Sequence, residues 1–111
     1  MSEISKESEK KLSQLQMTEQ SMQNLLMQKQ QFQLQQVEME SALKELEKVD
    51  EAYKIVGNIM VLSKKSDLKE DLTSKKEIIE LRIKNMEKQE AQLRDKATKL
   101  QTEVMKEMGQ D

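Results

Sequence analysis

The sequence has no cysteine, no histidine, no proline and no tryptophan. Among its 111 residues only Phe32 and Tyr53 are aromatic, and only Gly57 and Gly109 are glycine. Each shortage excludes something. Without cysteine there is no disulfide and no thiol nucleophile, and nothing asks for an oxidising compartment. Without cysteine or histidine there is no zinc site of the usual kind and no imidazole base. With so little turn chemistry, the elements must be few and long. The hydrophobic share is 35%, below the ~45–50% of an ordinary globular domain, so a compact multilayer core is not expected. No apolar run approaches the ~20 residues of a membrane span, and no signal-peptide core follows Met1. A soluble, cytoplasmic protein is expected.

Charge is plentiful but balanced. Lys and Arg number 19 against 21 Asp and Glu, a net charge of −2. A nucleic-acid binder carries a basic patch, and a membrane-surface helix carries a basic face. Here acidic residues match basic ones along the chain, so neither nucleic acid nor membrane is an expected partner. The carboxylates sit in charge-mixed stretches, where solvated salt-bridge roles dominate. No glycine-rich phosphate loop is present. No catalytic, cofactor-binding or metal-binding residue is assigned, no cofactor is implied, and the chain is not read as an enzyme.

What the sequence does have is helical periodicity. Residues 1–50 contain no glycine and are rich in Gln, Leu, Met, Glu and Lys, all good helix formers. Ile4, Lys11, Thr18, Leu25, Phe32, Met39 and Leu46 recur every seven residues, as do Ser8, Leu15, Met22, Lys29, Gln36, Leu43 and Asp50. Alternating steps of four and three make the a and d positions of a coiled coil, although about half of them are polar. Residues 67–108 repeat the theme with Leu72, Ile79, Met86, Leu93 and Leu100, and with Lys76, Ile83, Glu90, Ala97 and Val104. Asp67 with Glu70 resembles an N-terminal capping box, Ser66 is an alternative cap, and Gly109 suits a C-terminal stop.

Between these stretches the period changes. Residues 52–62 are rich in β-branched residues, and two apolar tetrads flank Gly57-Asn58, a pair suited to a two-residue hairpin turn. A plain connecting loop is the alternative, but a loop has no need of Ile55, Val56, Ile59, Met60, Val61 and Leu62 in so short a space. The expected fold is mainly α: two long helices folded back as an antiparallel coiled coil and joined by a β-hairpin. Residues 1–50 form the N-terminal coiled-coil helix, 51–65 the hairpin and 66–111 the C-terminal coiled-coil helix. Facing residues should have numbers that sum to about 118, which sets Leu46 near Leu72, Met39 near Ile79, Phe32 near Met86 and Leu25 near Leu93. Lys29 and Glu90 then share a level. They either pair and fix the register, or Lys29 snorkels to solvent while Glu90 sits at the rim.

An isolated two-stranded hairpin is marginal in water, and its outer edges carry unpaired backbone groups. Both of its faces are apolar. The strands are therefore expected to pair with strands of other chains, with Tyr53, Ile55, Val56, Gly57, Ile59, Met60, Val61 and Leu62 as the oligomerisation residues. The chain ends lie at the opposite end of such a coil. There, methionine offers flexible, polarisable apolar surface. Residues 12–37 carry only Glu19 and Lys29 as charges amid abundant Gln, with no assigned role.

The run Tyr53-Lys54-Ile55-Val56-Gly57-Asn58-Ile59-Met60-Val61, followed by Asp71-Leu72, Leu81-Arg82-Ile83 and Glu87-Lys88-Gln89-Glu90, resembles the archaeal-type prefoldin beta subunit. The match is specific from about residue 50 to 93 and elsewhere rests on heptads and composition. The resemblance implies an ATP-independent chaperone subunit that captures unfolded or nascent chains and delivers them to a group II chaperonin. It implies a hetero-hexamer of two alpha-type and four beta-type subunits, with the hairpins forming a β-barrel platform. It also implies clients held by the coil tips, for which Ile4, Leu12, Met17, Val104, Met105 and Met108 are the candidates. The competing reading is a structural or tethering coiled-coil scaffold, for which an apolar strand pair at the bend serves no purpose.

Overall fold

A computed structural model describes residues 5–109, in the order α1 (Lys6–Glu47), β1 (Ala52–Val56), β2 (Ile59–Ser63) and α2 (Lys65–Glu107). Helix α1 opens where Ser5 accepts a hydrogen bond from the Ser8 amide at 3.1 Å, the N-cap geometry that satisfies one orphan N–H. It then runs without a breaker until the chain enters the hairpin. Helix α2 closes at Gly109, whose φ of +73° is the left-handed conformation that ends a helix. There the Gly109 amide donates to the Lys106 carbonyl at 3.1 Å.

The start of α2 differs from expectation. The helix begins at Lys65, and the Leu68 amide already donates to the Lys64 carbonyl at 3.1 Å. Ser66 and Asp67 therefore lie inside the first turn rather than capping it. Strand β2 runs to Ser63 and leaves one residue, Lys64, to enter the helix. The exit of the hairpin sets the start, and Asp67 instead places negative charge near the helix N-terminus, where the dipole favours it.

The chain divides into two compact units. One comprises residues 1–29 and 85–111, the other residues 30–84. Within each, the two helices run antiparallel. In the first unit Lys11 reaches Glu103 and Glu107, and Lys29 reaches Glu90. In the second, Glu40 meets Lys76 and Glu47 meets Lys69. These pairs fall within about one turn of the expected register. The buried positions of the helices are those of the heptad seams, as are most of the half-buried ones. In the first unit Ser8, Thr18, Leu25, Leu100 and Val104 are buried, and Leu15, Met22, Met86, Leu93 and Ala97 half-buried. In the second unit Leu46, Ile79 and Ile83 are buried and Phe32, Gln36, Met39, Leu43, Leu72 and Lys76 half-buried. The Arg82 guanidinium lies 5.6 Å from the Phe32 ring centroid, a cation–π contact within this unit.

The strands pair antiparallel, with Val56 opposite Ile59 and Ala52 opposite Ser63. Gly57 sits at φ +62°, and among the described residues no other type has positive φ. Positive φ at only the first central position is the signature of a type II′ turn, whose twist matches that of the flanking strands. A Cβ at Gly57 would meet nothing within 4 Å. Gly57→Ala should therefore cost backbone strain alone, about 1–2 kcal/mol. Amide hydrogen exchange should show faster exchange across β1 and β2 while the helical amides stay protected. Unchanged exchange in the strands would show that the turn does not hold the hairpin.

Candidate functional site

The hairpin presents two chemically different faces. Residues opposite each other in the register share a face, so Tyr53, Ile55, Met60 and Leu62 form one and Ala52, Lys54, Val56, Ile59, Val61 and Ser63 the other. The first is wholly apolar and exposed, Ile55 reaching 73%. On the second, Ala52 is buried, Val61 half-buried, and Val56 and Ile59 exposed. Lys54 interrupts this face, a detail missed by counting apolar residues alone. Beside the hairpin an open groove of about 1060 Å³ is lined by Leu46, Val49, Ala52, Leu68 and Leu72 together with charged residues such as Glu45, Glu51 and Asp71. A contiguous apolar surface of this kind on a chain otherwise rich in charge marks an interaction site.

The chain-end unit carries the other candidate residues. Met17 is 68% exposed, and Met105 and Met108 are also exposed. Leu12 is half-buried. Ile4 lies outside the described residues. Val104, a candidate that is also a seam residue, is only 5% exposed. The exposed Leu26 and Met27 escaped the sequence reading. Both lie off the seam in the stretch with few charges, which was the available signal.

Polar side chains at the seam of this unit are all partnered. Thr18 donates its hydroxyl to the Gln14 carbonyl at 2.8 Å. Ser8, 1% exposed, donates to Glu107 at 2.7 Å. Lys11 also hydrogen-bonds Glu107 and lies 3.5 Å from Glu103. Lys29 donates to Glu90 at 3.0 Å, and the two side chains are 15% and 19% exposed. Pairing, not snorkelling, is therefore what Lys29 does. Arg94, one turn along α2, adds a second contact to Glu90 at 2.9 Å, which the seam pattern alone did not reveal. The hydrogen bond from Lys29, then that from Arg94, holds the Glu90 carboxyl below its ordinary value of 4.5 against the opposing effect of desolvation. Lys11 and Ser8 lower Glu107 in the same way. Among the described residues no group of His, Cys, Asp and Glu is arranged to hold a metal ion, and no helix is long and apolar enough to cross a membrane.

The prefoldin subunit family model matches residues 9–111. The chain belongs to the prefoldin family. The prefoldin subunit beta of Archaeoglobus fulgidus is 38% identical over 107 residues, covering 94% of this chain and 92% of the relative. That of Methanospirillum hungatei is 36% identical over 111 residues, covering 97% and 92%. The crystal structure of the prefoldin beta subunit from Thermococcus strain KS-1 superposes with a TM-score of 0.89 at 32% identity, covering 96% of each chain. The family is one of chaperone subunits, and the chain takes that class of function with it.

The Lys29–Glu90 pair generates a test. Charge reversal at either residue alone should lower the melting temperature, because it leaves like charges facing each other in a half-buried seam. Reversal at both should restore part of the loss, and a double-mutant cycle without coupling would show the contact to be idle. The lowered carboxyl values add a pH dependence. A carboxylate with a depressed folded-state value stabilises the fold fully above its ordinary value of 4.5, and that stabilisation is lost as pH falls through the folded-state value. The melting temperatures of wild type and Glu90→Gln should thus differ at neutral pH and converge in acid. A constant gap between about pH 7 and pH 3 would contradict this.

Proposed function

We propose that the chain is the beta-type subunit of a hetero-hexameric, ATP-independent chaperone. Two alpha-type and four beta-type subunits join through their hairpins into a β-barrel platform. The coil ends capture unfolded or nascent polypeptides, which pass to a group II chaperonin in the cytoplasm. Residues 51–65 serve assembly, and residues 1–50 and 66–111 supply the capturing arms. The observation that supports this reading best is the apolar face of Tyr53, Ile55, Met60 and Leu62, all exposed on the single chain. A two-stranded sheet with such a face gains stability by adding strands and covering the face.

Capture draws support from Met17, Met105 and Met108. Methionine is unbranched and polarisable, and adapts to many apolar surfaces. A chaperone for diverse unfolded chains needs contacts that are individually weak and tolerant of shape. Nothing in the reading requires catalysis or a cofactor.

Two measurements check the two halves. Ile55→Lys or Ile59→Lys should dissolve the oligomer while leaving most of the helix, since burying an unpaired lysine in a sheet costs roughly several kcal/mol. Native mass spectrometry of an intact hexamer carrying either change would sink the platform. Met105→Gln with Met108→Gln keeps helix propensity and removes apolar surface. This pair should leave assembly intact and weaken protection of a diluted, guanidinium-unfolded protein from aggregation, with each lost contact contributing ~1 kcal/mol. Full protection by that variant would move the capture surface away from the chain ends, and a bare dimer without protection would favour the scaffold.

A further inference from the structure

Lys54 is the only charged residue between Ala52 and Ser63, the whole length of the hairpin. It stands in the middle of β1, opposite Val61. The rest of its face is Ala52, Val56, Ile59, Val61 and Ser63. At the helix end of that face Ala52 is buried and Ser63 half-buried, while at the turn end Val56 and Ile59 are exposed. Lys54 lies between the two, exposed, and among the described residues it makes no ion pair. The adjoining groove does hold carboxylates, those of Glu45, Glu51 and Asp71. Glu45 is taken by Lys48 at 3.4 Å and Asp71 by Lys75 at 3.0 Å. A strand added beside the hairpin has to accommodate this cation. A second copy brings no carboxylate on its own strands, since its residues 52–63 hold only another Lys54. Where β1 of one copy pairs antiparallel with β1 of another, the two lysines approach across the sheet, and like charges so placed destabilise it. Where β1 pairs with the other copy's β2, the register of the hairpin repeats and Lys54 meets a valine. The ammonium is then partly desolvated without compensation. A strand with Asp or Glu at the facing position removes the difficulty, because opposite charges stabilise a cross-strand pair.

We propose that Lys54 is the selectivity residue of the hairpin: it disfavours the strands of identical copies and favours a non-identical strand that carries a carboxylate opposite it. The inference rests on assembly through the hairpins, and assigns the carboxylate to a strand of the alpha-type subunit. Affinity and choice then reside on different faces. Tyr53, Ile55, Met60 and Leu62 offer apolar surface to any strand pair that covers them. Lys54, on the other face, decides between candidates of equal hydrophobicity. Discrimination of this kind acts mainly through the wrong partner, which leaves a charge uncompensated.

Native mass spectrometry of the full-length chain, alone and mixed with the alpha-type subunit of the same organism, tests this. Lys54→Val removes the charge and suits a strand. Alone, this variant should self-associate at a several-fold lower concentration than wild type. In the mixture, its ratio of mixed to self-assembled species should fall several-fold, while Lys54→Arg keeps the wild-type ratio. Raising salt from about 0.05 M to about 0.5 M should lower the wild-type ratio and leave that of Lys54→Val in place, since screening acts on the charge. If Lys54→Val precipitates, Lys54→Gln is neutral and polar and should move both quantities in the same direction. Self-association of the neutral variant no stronger than wild type, or a ratio that neither variant nor salt moves, overturns the proposal. Weaker self-association overturns it as well, because a carboxylate of a second copy, such as Glu51, is then already the partner. Ile55→Lys keeps this apart from the platform itself. If Ile55→Lys assembles like wild type, the hairpin is not the interface and both ideas fall. If Ile55→Lys stays monomeric while Lys54→Val behaves as wild type, the platform stands and only the selectivity is lost.

Discussion

A two-stranded sheet has two faces and two edges to satisfy, and this chain provides partners for only some of them. The base of one face is covered, as the burial of Ala52 shows. The face built from Tyr53, Ile55, Met60 and Leu62 is left to solvent. A monomer exposing that surface is poorly soluble and its strands are marginal. The constraint is relieved if other chains supply the missing strands and cover. Gly57 matters for the same reason: it lets a two-residue turn hold the strands in a twist that further strands can continue.

The helices solve a different problem, which is to stay specific with little apolar material. A seam of leucines alone would bind tightly in several registers. Here Lys29 and Glu90 occupy facing seam positions, and a slip of one heptad would leave Lys29 half-buried without its partner and Glu90 with Arg94 alone, which is costly in a seam. Thr18 adds no such demand, since its hydroxyl is satisfied by its own helix at Gln14. Polar seam residues therefore fall into two kinds here, those that define the pairing and those that merely fill space. Their distinction depends on whether the partner lies on the other helix.

Much of this was legible in the sequence. Seven-residue spacing located the seam, the Gly57-Asn58 pair located the turn, and a register in which facing numbers sum to about 118 put Lys29 level with Glu90. These features follow from periodicity, which backbone geometry enforces residue by residue. What stayed hidden depends on which of several neighbours a long side chain chooses. Arg94 on Glu90 and Arg82 over Phe32 are such choices. So is Glu107, whose carboxylate takes both Ser8 and Lys11. The start of α2 was also hidden, because Ser66, Asp67 and Glu70 make a good cap in isolation, while the single residue left after β2 starts the helix earlier. Val104 shows a conflict between two correct rules: apolar residues near a free helix end suit client contact, and seam positions suit burial. Its burial follows the heptad position.

On the proposed reading, assembly and capture are linked by arithmetic. Each chain end offers a few exposed methionines, and at roughly 25 cal/mol per Å² of buried apolar surface a single end holds an unfolded chain weakly. Association also loses translational and rotational freedom, which consumes much of that gain. Weak binding becomes useful only when several ends act on one polypeptide, so that each further contact forms at high effective concentration. On the proposed reading the hairpin supplies that multiplicity. A chain that exposed more apolar surface at its ends would bind better alone but would also bind its own copies. On that reading, soft, sparse contacts at the ends, made strong by shared strands at the hairpin, separate affinity for clients from affinity for self.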